Sequence, residues 1–267
     1  MRGFRSDSYG EAFADVYDDW YGEISDPATT ASFVVGLAGR DGVVLELGVG
    51  TGRLAMPIVA SVGRFVGVDT SSRMLDRWRA RIDAAVAAGE FAADRVEVVA
   101  GDMVDDLPPG PFDVAFAAYN TLFNLTSAER QRALFERLAE RLRPGGSFVV
   151  ECFVPPDASG AGGEQRLALR SMTVDTVVLS ASRHDVGAQI AEGHFIEITE
   201  AGGVKLRPWS IRWSTPAELD DMAAACGFEL GGRWSDFDRR PFLASDVTGT
   251  GDDGDVSERH VTLYTRR

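Results

Sequence analysis

The string Leu45-Glu46-Leu47-Gly48-Val49-Gly50-Thr51-Gly52-Arg53 holds the residues whose types and spacing point most directly to chemistry. Glycines at alternate positions have no Cβ to hold a ligand off, so the backbone can bend sharply and approach one closely. Amides at the start of a following helix would favour a carboxylate or phosphate. The string alone leaves the ligand open. Dinucleotide sites carry GxGxxG at the same place, whereas here Arg53 stands where that third glycine would fall and the spacing is GxGxG. Asp69 ends the next apolar run and can accept hydrogen bonds from two ribose hydroxyls, which nicotinamide sites also require. Asp102, in Gly101-Asp102-Met103, ends the third run, where a carboxylate can take an adenine amino group and Met103 can pack on the ring. Taken singly, each has a plainer account: a GxG turn as tight packing, and either aspartate as the cap of the helix after it. Their occurrence at successive strand ends favours a ligand, because such sheets bind at the carboxyl ends of their strands.

Other chemistries find less support. The histidines, His184, His194 and His260, are scattered without metal-ligand spacing, and no metal is expected. Cys152 and Cys226 show no CxxC pattern and suit a reduced compartment. With 41 acidic against 27 basic residues the net charge is −14, which repels phosphate backbones and argues against nucleic acid. Arg73, Arg77, Arg79 and Arg81 fall at helical spacing and read as a solvated face. There is no apolar leader after Met1 and no apolar window of membrane-spanning length, so a cytoplasmic location without a membrane partner is expected. Asn120 and Asn124, past the fourth apolar run, can orient a ligand or simply form turns.

Positioning these groups requires alternating strands and helices. Tyr9, Phe13, Val16, Tyr17 and Trp20 stripe one amphipathic helix, and a second follows Pro27 as far as Gly39 or Gly42. Strands are expected at 43–47, 65–68, 96–99, 114–117 and 147–153, and helices at 53–60 and 72–88. Thr126 with Glu129 reads as a capping box opening a helix to about Leu142, ended by Pro144, Gly145 and Gly146. The alternation predicts a parallel sheet with helices on both faces. A Pro-, Gly- and Ser-rich loop at 155–164, expected to be mobile, precedes four alternating runs at 167–174, 176–182, 189–199 and 204–213, an inserted antiparallel sheet. Thr215, Pro216 and Glu218 open the last helix, which stops at Gly227; strands at 228–234 and 260–264 flank a polar loop at 245–255 that reads as disordered.

Together, residues 46–52, Asp69, Gly101-Asp102-Met103 and the Arg141-Leu142-Arg143-Pro144-Gly145-Gly146 turn resemble the class I S-adenosylmethionine-dependent methyltransferases, over about residues 43–153 and 214–267. The resemblance implies an α/β fold: a Rossmann-like, mostly parallel seven-stranded sheet with helices on both faces, plus the inserted antiparallel sheet. It implies one domain over 1–267, with 1–40 a helical lid and 155–213 a cap. S-adenosylmethionine would be the cofactor. Glu46, Gly48, Gly50 and Gly52 would form its loop, Glu46 facing the methionine end; Asp69 would hold the ribose, and Met74, Asp102 and Met103 the adenine. Tyr119 would lie by the methionine moiety. Tyr9 and Tyr17, with Trp20 and Tyr21, are similar to the helix folding over the site in small-molecule N-methyltransferases that act on amino sugars or peptide amino termini. There a tyrosine face by a sulfonium adds about 0.5–2 kcal/mol. Tyr17 is thus assigned to the cofactor, and Tyr9 and Asn120 to catalysis. The core motifs hold no histidine or paired-acid base, which favours an amine acceptor. The alternatives are methylation of a carboxylate or phenol oxygen, and a non-catalytic protein that only binds the cofactor. The sequence leaves the oligomeric state open, a homodimer included.

Overall fold

The computed structural model describes residues 1–22, 25–155, 164–244 and 256–267. The loops expected at 155–164 and 245–255 lie outside the described residues, but for 155 and 164 themselves. In chain order the elements are α1 (Ser8–Phe13), α2 (Tyr17–Tyr21), α3 (Pro27–Ala38), β1 (Val43–Leu47), α4 (Ala55–Val59), β2 (Arg64–Asp69), α5 (Ser72–Ala87), β3 (Val96–Ala100), β4 (Phe112–Ala117), α6 (Ala128–Arg141), β5 (Leu142–Phe153), β6 (Glu164–Met172), β7 (Thr176–Asp185), β8 (Ile190–Thr199), β9 (Val204–Arg212), α7 (Pro216–Ala225), β10 (Phe228–Trp234) and β11 (Arg259–Arg266). None of the described helices is long and apolar enough to cross a membrane.

The main sheet has the order β10-β11-β5-β4-β1-β2-β3. Strands β1 to β5 pair in parallel, while β11 runs antiparallel to both β5 and β10. Each central strand is apolar on both faces. Leu45, Leu47, Val66 and Val68 face a layer built on Leu134, Phe135 and Leu138 of α6 and Leu219 of α7. Val44, Phe65, Val114 and Phe116 face the opposite layer, with Val34, Ile58, Leu75 and Trp78 from α3, α4 and α5. Two-sided burial of this kind is what parallel strands demand. The second sheet, β6-β7-β8-β9, is antiparallel throughout.

Several local expectations hold because their signals are local. Asp26 caps α3 by accepting from the amides of Ala28 and Thr29, with Pro27 in the first turn. Thr215 and Glu218 form the full capping box of α7.

Four expectations are corrected. The first amphipathic helix is two short ones, α1 and α2. Arg77 Nη1 donates to the Ala14 and Asp15 carbonyls, at 2.6 and 3.4 Å, and Arg207 takes the carbonyl of Ala12, so these acceptors are drawn out of any continuous helix. Arg73, Arg77 and Arg81 of α5 therefore form an anchoring face rather than a merely solvated one, while Arg79 pairs with Asp76 of its own helix. The cap of α6 is Ser127, whose hydroxyl accepts from the Arg130 amide at 3.2 Å, and Thr126 lies outside the helix. The helix after the glycine loop is only Ala55–Val59.

Candidate active site

The carboxyl ends of β1, β2 and β4 meet at the switch in strand order, where βα folds place ligands. Above them lie α1, α2 and the inner face of β8 and β9, enclosing a cavity of about 460 Å³. That size suits a small-molecule site. Gly48, Gly50, Asp69, Met74, Asp102, Met103, Tyr119, Asn120, Tyr9 and Tyr17 all line it, so the structure gathers ten of the twelve sequence-predicted residues. Glu46 and Gly52 stand behind the wall.

The glycine loop is held by its own amides. Gly48 and Val49 donate to the Val68 carbonyl, at 2.8 and 3.1 Å, and Gly52 to the Val49 carbonyl. Gly50 donates to Asp69 Oδ2 at 2.9 Å. The expectation that these amides await an anion is thus corrected: they are engaged within the fold, and the five-residue α4 offers little dipole to replace them. Gly50, at φ +56°, turns the chain so that an added Cβ would meet no atom closer than 4.0 Å, leaving the cavity side open. Gly52 does another job, since its Cβ would fall 1.9 Å from the Trp78 ring.

Asp69 joins three elements. Its Oδ1 accepts from the Ser71 amide at 2.8 Å and its Oδ2 from Gly50, tying the loop, the end of β2 and the start of α5 together. Burial raises its pKa, and those same amides oppose the rise. Glu46, on the α3–α5 face of β1, is only 4% exposed, and its Oε2 has no hydrogen-bond partner. Burial holds its carboxyl well above the usual carboxylate range, with Arg53 opposing and Asp69 adding to the effect. Asp102 turns its Oδ1 onto its own loop, accepting from the amides of Val104 and Asp105 and from Arg130 Nη2 at 2.5 Å. This oxygen closes the turn at 103–105; no helix follows Asp102, so the capping account does not apply to it either.

The opposite wall is aromatic. Tyr9 stacks on Phe13 with ring centres 4.3 Å apart; Tyr17 lies 5.0 Å from Tyr21, and Tyr21 5.6 Å from Tyr119. Burial raises the pKa of Tyr9 and Tyr17, and pushes Tyr119 up to about 12. All three phenols are therefore neutral near pH 7 and are hydrogen-bonding surfaces rather than bases. Tyr119 and Asn120 both have positive φ, 48° and 62°. The Tyr119 amide donates to Glu151 Oε2 at 2.8 Å, and Asn120 Oδ1 accepts from the Phe153 amide at 2.7 Å. These bonds fix the end of β4 to the end of β5, so the asparagine oxygen is engaged in structure.

Sequence reading missed the residues that lock the amino-terminal segment over this cavity. Asp18 accepts from the Thr51 hydroxyl at 2.6 Å, from Arg77 at 2.9 Å and from Arg81 at 2.7 Å. Asp15 and Glu197 each pair at 2.6 Å with Arg207, which is 1% exposed. Glu11 accepts from the hydroxyl of Ser71 and the amide of Arg73. Acidic residues off the aromatic stripe of the first segment and arginines at helical spacing were the available signal; their pairing across 33 to 192 residues was not.

Residues 44–146 match the family described as a methyltransferase domain. Over the whole chain, the CcbJ methyltransferase from Streptomyces caelestis is 37% identical, with a TM-score of 0.84, 99% of this chain and 100% of that one being covered. The chain belongs to the S-adenosylmethionine-dependent methyltransferases. A curated relative, the cypemycin N-terminal methyltransferase of a Streptomyces species, is 29% identical over 88% of this chain and 93% of its own length. The S-adenosylmethionine-bound CalS10, an amino pentose methyltransferase from Micromonospora echinaspora involved in calicheamicin biosynthesis, has a TM-score of 0.64 at 19% identity. It covers 94% of this chain and 97% of its own, and shows the fold alone.

The residues of this methyltransferase fit its cofactor. The orphaned buried Glu46 oxygen suits an ammonium, and the open side of Gly50 leaves room beside Asp69. Met74 and Met103 supply soft, polarisable surface for a ring.

Proposed function

We propose that this enzyme methylates an amino nitrogen of a small molecule or a peptide amino terminus. Asp69 holds the ribose of the cofactor, Glu46 its amino-acid ammonium, and Met74, Met103 and the Asp102 turn flank the adenine. Residues 1–40 act as a lid and the β6–β9 sheet as a cap. Bound there, S-adenosylmethionine supplies an electrophilic methyl carbon, and the C–S bonding electrons stay on sulfur as the new C–N bond forms.

The observation that carries this reading is the set of neutral phenols facing the glycine loop across one cavity. A neutral amine already has its nucleophilic lone pair and needs alignment and dry surroundings rather than a strong base. An unactivated hydroxyl needs a base, and of the carboxylates lining the cavity Asp69 is tied up by two amides and Asp102 by two amides and Arg130. Tyr9 and the Asn120 amide nitrogen orient the acceptor, while Tyr17 and Tyr119 present their faces to the positive centre. The name of the curated N-terminal methyltransferase relative supports the same acceptor class.

The test is methyl-labelled cofactor offered with matched acceptors: an amino sugar beside its hydroxyl analogue, and a peptide with a free beside an acetylated amino terminus. Label should enter only members with a free amine, and Tyr9→Phe should lower turnover with cofactor affinity kept. Label in the hydroxyl analogue or in a carboxyl group overturns the amine assignment.

A further inference from the structure

Several cationic side chains around the cavity are matched with carboxylates. Arg5 pairs with Asp7, Arg130 with Asp102 and Asp105, Arg207 with Asp15 and Glu197, and Lys205 with Asp15. Arg170 differs. It makes no ion pair or hydrogen bond among the described residues, although the chain carries a net charge of −14. Its guanidinium carbon instead lies 4.7 Å from the ring centre of Trp20, 5.2 Å from Tyr21 and 4.6 Å from Phe195. Tyr21 and Phe195 both line the cavity, and the charge of Arg170 is felt by the Tyr119 phenol.

The backbone departs from regular pairing at this residue. In the β6–β7 ladder Leu169 pairs with Leu179 and Ser171 with Val178, so Arg170 is the extra residue of a bulge. Bulges of this kind disturb the local ladder and concentrate beside active sites. The cavity-side row beside it runs Ala168, Ser180, Phe195 and Arg207; Arg170, two residues on from Ala168, shares that face and lies over its aromatic member. Aromatic faces fix a guanidinium's plane without using any of its five N–H donors, which stay directed outward along its edge as a fork.

We propose that Arg170 is a specificity residue that holds an anionic group, a carboxylate or a phosphate, on the same acceptor whose amine is methylated. This rests on the amine reading above and narrows it. An overall negative chain repels anions at long range, so the preference has to come from a local, pre-oriented cation. The planar fork matches either anion in bidentate fashion.

The experiment uses the full chain loaded with S-adenosylhomocysteine, titrated by calorimetry at low salt with phenylacetate, phenyl phosphate and the neutral isostere phenylacetamide. The expected result is that at least one anion binds at least tenfold more tightly than the amide, the better of the two naming the acceptor's group. Arg170→Gln should level that difference, and Arg170→Lys, which keeps charge without the fork, should retain part of it. A wild-type protein without anion preference overturns the inference, as does Arg170→Gln with the preference intact. Titration with S-adenosylhomocysteine alone reads the cofactor pocket of each variant separately. A wild-type chain that does not bind it overturns the proposed function and this inference together, whereas normal cofactor binding without anion preference overturns this inference alone.

Discussion

Glu46→Gln should improve or preserve the stability of the free protein while weakening the cofactor, an outcome that separates a ligand-binding role from a structural one. The carboxylate lies in an apolar layer with one oxygen unpartnered. Burial raises its pKa, so at pH values between the ordinary carboxylate value of 4.5 and the raised one the folded protein holds a proton the unfolded chain has released. Ionised Glu46 therefore destabilises the fold fully above the raised value, and that penalty disappears as the pH falls through it. Glutamine removes the penalty at every pH and keeps the shape. In the complex the same change deletes a charge-assisted bond to an ammonium, worth about 1.5–3 kcal/mol or roughly ten- to 150-fold in Kd. Wild-type affinity should also fall on acidification through the raised pKa, while the variant stays flat there. Calorimetric titration with S-adenosylhomocysteine from pH 5.5 to 8, beside thermal melts of the free proteins, reads both quantities. A variant that binds as tightly as wild type, or one that loses stability at pH 7 without losing affinity, refutes the reasoning.

Two alanine substitutions in the glycine loop should part company. At Gly52 the new Cβ collides with Trp78, so the melt should show a loss of about 1–3 kcal/mol for overpacking plus strain at positive φ. At Gly50 the Cβ meets open cavity, so a smaller loss of about 1–2 kcal/mol from the left-handed backbone should accompany the larger drop in cofactor affinity. Asp18→Asn weakens two half-exposed arginine pairs at about 1 kcal/mol each, which should lower hydrogen-exchange protection over α1 and α2 roughly thirtyfold and leave the central strands unchanged. Unchanged exchange over residues 8–21 would show that Asp18 is not the staple of that segment.

The fold was legible where the determinant is local. Thr215, Pro216 and Glu218 specify the start of α7, and Gly227 marks the turn into β10, which spans the expected 228–234. Buried strands read as short continuous apolar runs, and the four runs after residue 164 found their antiparallel partners in sequence order. What stayed hidden depends on partners distant in the chain. The break between α1 and α2 comes from Arg77 and Arg207, which no helical periodicity of residues 9–20 could reveal. Thr126 and Ser127 are adjacent hydroxyls, and only the geometry of the incoming chain selects the second as cap. The Arg170 bulge leaves no mark in a pattern of alternating residues, since its extra residue is visible only against the strand it pairs with.

The same contrast bears on how the site tells an adenosyl group from a dinucleotide. A diphosphate needs backbone N–H groups aimed at it from a loop and a helix start. Here the loop's amides close on Val68, Val49 and Asp69, and the following helix begins only at Ala55 and lasts five residues. On the loop's side, what faces the cavity is glycine backbone without side chains, two methionines and neutral phenols, with one orphaned carboxylate behind the loop, while the lining cations Arg5 and Arg130 are paired with Asp7, Asp102 and Asp105. None of these is suited to compensate two phosphate charges, and together they suit a ligand with an ammonium on its amino-acid end, a sulfonium and a purine face. The GxGxG spacing therefore discriminates through its consequence. With its third glycine one place early, at Gly52, the loop has Arg53 at the dinucleotide motif's last position, where it donates to the Ser25 carbonyl and hydroxyl and holds the loop to the chain just before α3.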